Sequence, residues 1–194
     1  STSIGIAVYP DDATDAESLL KAADTAMYHT KNEGRNNYCF YNPSMNARAL
    51  ERLTIESALR RAVERGQLVL HYQPVVEVAT GVIVGLEALV RWQHPEMGLL
   101  MPGRFIEIAE ESGLIVPLGD WVLHAACAQS SAWLAEGLPA LPMAVNVSGE
   151  QFRRTCLEQT VRTVLDATRL DPAMLKLEIT ESVLMRDLEV TLRN

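Results

Sequence analysis

The chain opens on a short apolar, β-branched run, Ser3 to Tyr9 (SIGIAVY), cut off by Pro10-Asp11-Asp12. This pattern predicts a buried strand followed by a turn. Thr14-Asp15-Ala16-Glu17 then fits a capping box, in which a hydroxyl accepts from the backbone and the Glu three residues on reaches back. Leu20, Ala23 and Met27 recur at helical spacing, and Gly34 is placed to end that helix. Asn37 to Tyr41 (NYCFY) is aromatic-rich and suits a closing strand. Past Asn42-Pro43-Ser44 a second helix is predicted, roughly Met45 to Arg65. It carries an apolar stripe of Ile55, Leu59, Ala62 and Val63, with Glu56 and Arg60 as an i,i+4 pair on its polar side. Gly66 stops it. Such a helix either acts as a lever between two domains or lies on the second one.

From Leu68 the texture changes. Val69 to Val76 and Val82 to Trp92 read as strands joined through Thr80-Gly81, a connection too short for a parallel crossover and suited to an antiparallel pair. Helices are expected over Gly103–Glu111 and Leu118–Ala135, a strand over Met143–Val147, a helix over Leu157–Thr168 and a strand over Leu175–Thr180. Another helix is expected from Ser182 onward. Strands alternating with helices imply a parallel sheet and an α/β fold.

Composition narrows the function classes. The 17 basic and 25 acidic residues leave a net charge of −8, which argues against duplex nucleic acid or an anionic membrane surface as partner. A small anionic ligand remains open if metal ions supply positive charge locally. The three cysteines, Cys39, Cys127 and Cys156, form no CxxC pair and read as small buried hydrophobes in a reducing compartment. The chain has neither a spanning run nor a signal peptide, so it reads as cytoplasmic.

Three oxygen donors interrupt apolar strands: Glu87 in Ile83-Val84-Gly85-Leu86-Glu87-Ala88, Asn146 in Ala144-Val145-Asn146-Val147, and Glu178 in Leu175-Lys176-Leu177-Glu178-Ile179. An ionised carboxylate in a strand core costs several kcal/mol unless it is paired or bound to a metal. Any one of the three could point to solvent or pair with Lys176 or Arg91. Three on successive strands favour a shared hard cation, magnesium or manganese and not zinc. Glu181, just past Glu178, either grips the same site or occupies the first turn of the next helix. Arg91 lies on the face of Glu87 at period two, where its fork suits a phosphate; the alternative is a partner for one of the acids. Gln73 stands between Tyr72 and Pro74 at the end of the first strand. His29, His71, His94 and His124 show no ligand spacing.

These residues carry a resemblance. Tyr72-Gln73-Pro74, Gly85-Leu86-Glu87-Ala88-Leu89-Val90-Arg91-Trp92, Ala109-Glu110-Glu111-Ser112-Gly113-Leu114-Ile115, Leu118-Gly119-Asp120-Trp121, Val145-Asn146-Val147-Ser148 with Gln151-Phe152, and Leu177-Glu178-Ile179-Thr180-Glu181-Ser182 resemble EAL domains in order. Ser3-Ile4-Gly5-Ile6-Ala7, Ala23-Asp24-Thr25-Ala26-Met27-Tyr28 and Gly34-Arg35-Asn36 resemble the end of a GGDEF domain, with Thr30 where a small residue is usual. The resemblance implies 1–41 as the GGDEF end, 42–66 as a connecting helix, and 53–194 as the N-terminal half of a truncated EAL domain. The implied fold is α/β: a partial TIM-like (β/α) barrel, its first strand antiparallel, preceded by the last strand–helix–strand of a GGDEF domain.

The implied activity is that of a cyclic-di-GMP phosphodiesterase, hydrolysing its substrate to linear pGpG with two magnesium or manganese ions. Glu87 (also catalytic), Asn146 and Glu178 would be metal ligands. Gln73, Leu89 and Arg91 would contact the dinucleotide, and Glu181 would support the active-site loop. The family's paired aspartates (in Asp-Asp-Phe-Gly) and its catalytic lysine follow beyond Asn194, so the fragment is expected to be inactive alone, and it carries no cyclase signature. The alternative is a degenerate EAL domain that binds cyclic-di-GMP without cutting it. An upstream sensory domain, an EAL homodimer and an upstream inner-membrane anchor are features the longer protein could carry.

Overall fold

The computed structural model describes residues 2–32, 34 and 36–179. It divides into two compact units, Ser1–Ile55 and Glu56–Asn194.

In the first unit, strand β1 (Ile4–Ile6) and strand β2 (Tyr38–Phe40) pair in parallel, joined through helix α1 (Ala16–Asn32). The cap of α1 differs from the expected one. Asp15, not Thr14, accepts from the backbone N–H of Ser18 through Oδ1 at 2.9 Å, and this bond lowers the Asp15 pKa. A carboxylate satisfies an orphan N–H and also faces the positive end of the helix. The buried stripe also differs: Ala22, Ala26 and Thr30 are buried, whereas Leu20 is exposed. Small side chains are required there because α1 lies against the backbone of β1. A Cβ on Gly5 would come within 2.0 Å of the Ala23 carbonyl oxygen. The buried Thr30 hydroxyl donates to the Ala26 carbonyl at 2.9 Å and reaches the Ile4 carbonyl at 3.3 Å. β1 is shorter than the predicted run, because Val8 and Asp12 already exchange turn hydrogen bonds.

Helix α2 (Pro43–Leu59) stops six residues short of the expected Arg65 and gives way to turns that end at Gly66, φ +62°. The expected Glu56–Arg60 pair is present at 2.6 Å.

The second unit is a sheet of five described strands, β3 (Leu68–Val76), β4 (Ile83–His94), β5 (Gly98–Leu100), β6 (Met143–Val147) and β7 (Leu175–Ile179). Their order is β3-β4-β6-β7, with β5 paired to β4. β3 runs antiparallel to β4 around the Thr80-Gly81 turn, where Gly81 has φ +71°. β4, β6 and β7 are parallel. Pro74 is tolerated inside β3 because, among the described residues, β3 is an edge strand. β4 outruns its predicted end. His94 is buried and its Nδ1 accepts from the backbone N–H groups of Glu96 and Met97, both at 3.2 Å, turning the chain into β5, which the hydropathy pattern did not reveal.

Helix α3 (Ile106–Ser112) follows a single 3₁₀ turn at Pro102–Arg104, so Gly103 lies outside it. Helix α4 (Ile115–Ala135) starts three residues before the predicted Leu118, because Pro117 sits in its first turn, where its missing N–H costs nothing. Helix α5 (Gly149–Arg154) was not anticipated, and helix α6 (Leu157–Thr168) matches its prediction. Val122, Leu123, Ala126 and Cys127 of α4 pack with Val164 on Ala88, Met143 and Val145, and Leu70, Tyr72, Leu86, Val90 and Leu175 join them. Cys127 is thus a buried small hydrophobe as expected, whereas Cys156 is exposed. The helices cover the face formed by even positions of β4 and odd positions of β6 and β7. Everything of opposite parity lies on the other face.

Candidate active site

That other face is built by strand pairing. Glu87 stands opposite Gln73 on β3 and Ala144 on β6, while Asn146 stands opposite Glu178 on β7. Side chains of directly paired residues project on the same side of a sheet, so Gln73, Glu87, Asn146 and Glu178 share one face across four strands. Leu89 and Arg91 continue it along β4, opposite His71 and Val69. Small residues open the space. Ala144 separates Glu87 from Lys176, and at Gly85 a Cβ would press on the Pro142 carbonyl oxygen at 3.1 Å.

Two of the expected ligands touch directly. Asn146 donates through Nδ2 to Glu87 Oε1 at 2.7 Å. This bond sets the amide: with Nδ2 committed to the carboxylate, Oδ1 is the atom left to accept or to ligate. Arg91 donates through Nη1 to the carbonyl of Val90 at 2.8 Å, and among the described residues no ion pair ties Arg91 or Lys176 to Glu87 or Glu178. Gln73 lies within β3, three residues before its end, not at its terminus. Glu181 lies outside the described residues.

The sequence argument from buried charge needs correction. Asn146 and Glu178 are exposed and Glu87 is half-buried, because the helices cover only one side of these strands. What links the three is not a desolvation penalty but a common face. The same parity places His71 and Lys176 on it, and period-two counting from Gln73 and Glu178 would have found both.

The donor set is carboxylate, amide and carboxylate, all oxygen, which fits a hard divalent cation. Among the described residues no group of three His, Cys, Asp or Glu side chains could hold a metal ion, so any site here depends on the Asn146 amide or on further ligands. None of the described helices is long and apolar enough to cross a membrane.

A sheet with helices on one face and, on the other, oxygen donors from three successive parallel strands, Asn146 and Glu178 each one residue before the end of its strand and Glu87 within β4, belongs to the (β/α)-barrel class of α/β proteins. Within that class the chain is a member of the EAL domain family, which matches residues 56–194. Residues 1–37 match the family described as diguanylate cyclase, GGDEF domain. The bifunctional diguanylate cyclase/cyclic di-GMP phosphodiesterase MucR of Pseudomonas aeruginosa is 50% identical over 192 residues, which is 99% of this chain and 28% of that protein. The cyclic di-GMP phosphodiesterase PdeR of Escherichia coli is 42% identical over 192 residues, 99% of this chain and 29% of its own length. A solved structure of the PaMucR phosphodiesterase in complex with c-di-GMP superposes with a TM-score of 0.69 at 47% identity, over 72% of this chain and 57% of that one. The chain therefore spans under a third of these curated relatives. Membership of the family implies dependence on a divalent metal.

Proposed function

We propose that the protein to which this chain belongs hydrolyses one phosphodiester bond of cyclic-di-GMP, giving linear pGpG. The observation that carries this reading is the shared face of Glu87, Asn146 and Glu178, with the amide of Asn146 already bonded to Glu87 at 2.7 Å. Relatives named as cyclic-di-GMP phosphodiesterases along nearly the whole chain support it.

In this reading Glu87, Asn146 and Glu178 hold two magnesium or manganese ions together with ligands that follow Asn194. When bound, such a pair supplies Lewis acidity for an in-line displacement at phosphorus. The residues of this chain do the rest. Glu87 presents one oxygen to the Asn146 amide and keeps the other free. Arg91 can leave the Val90 carbonyl to grip a phosphate in fork geometry, since that single bond to a neutral acceptor is weaker than a charge-assisted one. Gln73, opposite Glu87, donates to the dinucleotide, and Leu89 offers it an apolar surface. Glu181 supports the active-site loop of the family.

The test uses the full-length natural protein with magnesium and measures pGpG release. Wild type should turn over, and Glu87→Gln should lower the rate at least about 100-fold, the scale of losing an electrostatic catalytic group. Tight binding of cyclic-di-GMP without turnover would replace the enzyme by a non-catalytic receptor.

A further inference from the structure

Immediately beyond Asn146 the chain is locked by a reciprocal cap. Ser148 Oγ accepts from the backbone N–H of Gln151 at 3.2 Å, and the backbone N–H of Ser148 donates to Gln151 Oε1 at 3.2 Å. The N-cap of this box stands only two residues after Asn146, and the box fixes the direction in which the chain leaves β6. Gln151 is not a surface cap. It is 6% exposed, and its side chain fills the space beside Gly119 in α4, where an added Cβ would lie 1.8 Å from Nε2. α4 in turn packs on β4 and β6 through the main core. On the other side of the cap, Val147 packs with Phe152 and Leu157, and Ile179 of β7 joins them. The end of β6 is thereby tied to the strands that carry Glu87 and Glu178.

Resting on the phosphodiesterase reading, we infer that Gln151, seated in the space left by Gly119, is a positioning residue for Asn146. It holds the end of β6 so that the Asn146 amide meets Glu87 and leaves Oδ1 directed at the cation. A polar residue that orients a ligand through a second set of bonds typically shifts metal affinity by about 10- to 100-fold when lost. Gln151→Ala removes both the acceptor for Ser148 N–H and the wedge against α4. Ser148→Ala removes only the hydroxyl and keeps Gln151 in place.

The experiment uses the full-length natural protein without substrate and has two readouts. Manganese binding is followed by electron paramagnetic resonance, and amide exchange of 145–152 is followed in metal-free protein. Gln151→Ala should weaken manganese binding about 10-fold or more and raise exchange at 146–149 while exchange in α4 stays as in wild type. Ser148→Ala should move both readouts the same way by a smaller amount, and it decides alone if Gln151→Ala does not fold. Gln151→Glu, which keeps the acceptor, should retain most of the protection. Wild-type manganese affinity and exchange in folded Gln151→Ala, or in Ser148→Ala where that variant decides, would overturn the assignment. A wild-type protein that binds no manganese would sink the phosphodiesterase reading instead, and the exchange measurement would still judge the positioning claim.

Discussion

At the scale of single residues, the Asn146–Glu87 hydrogen bond makes the clearest prediction. Asn146→Asp replaces a donor at 2.7 Å by a second carboxylate. Facing like charges on adjacent strands destabilise by up to about 1 kcal/mol, so without metal the variant should unfold at lower temperature than wild type at pH 7. Millimolar manganese should close most of that gap, because a cation between two carboxylates reverses the sign of the interaction. Calorimetry with and without manganese checks this, and an unchanged gap would mean no cation binds between them.

Glu110 gives a second test. Burial chiefly, then the charges of Glu150 and Glu107, raise its pKa above the ordinary 4.5, partly opposed by Arg153. A raised carboxyl favours the folded state while protonated, so its contribution is present below the unfolded value and is lost as pH rises through the folded one. Glu110→Gln should therefore raise the melting temperature at pH 7, with a gain that vanishes below about pH 4. A third test is thiol chemistry. Cys127 is fully buried and its thiol is pushed up to about 11 by that burial, whereas Cys156 is exposed. A thiol reagent at pH 8 should label Cys156 in the native protein and reach Cys127 only after denaturant is added.

At the scale of elements, what the hydropathy pattern made legible depends on how local the determining forces are. Among the described residues the pattern predicts six of the seven strands and five of the six helices, with ends that differ by up to six residues, and period-two counting puts Glu87 and Arg91 on one face; the helix expected from Ser182 lies outside those residues. The misses have physical causes. β5 depends on a buried histidine ring nitrogen collecting two backbone N–H groups, and α5 on a capping box that the Ser148-to-Gln151 spacing permits but does not announce. The stripe of α1 was misplaced because large Leu20 outweighs Ala22 and Ala26 in any hydrophobic count, while the close approach to β1 admits only small side chains. That approach is testable. Gly5→Ala would place a methyl within 2.0 Å of a helix carbonyl, an overlap that no rotamer relieves. Overpacking of this kind costs about 1–3 kcal/mol, which urea denaturation of the first unit would register, leaving the second unit unchanged.

At the scale of the whole molecule, the face that carries the candidate site lies on an open sheet among the described residues. Among the described residues β3 and β7 end the sheet, and Val75, Val76, Val82, Ile83 and Val84 around the β3–β4 turn are exposed. An open sheet edge with apolar neighbours invites pairing with another chain. The 194-residue chain also lacks the Asp-Asp-Phe-Gly segment that the family resemblance places after Glu178. In the proposed reading Glu87, Asn146 and Glu178 supply one oxygen-donor row of a two-cation site, whose ions about 4 Å apart need ligands on both sides. The isolated chain with magnesium should therefore release no pGpG above a metal-free blank, and in sedimentation it should self-associate as concentration rises. The full-length protein should turn over under the same conditions. Metal-dependent release by the 194 residues alone would show that one row of donors suffices, and the division of labour between the two halves of the barrel would have to be redrawn.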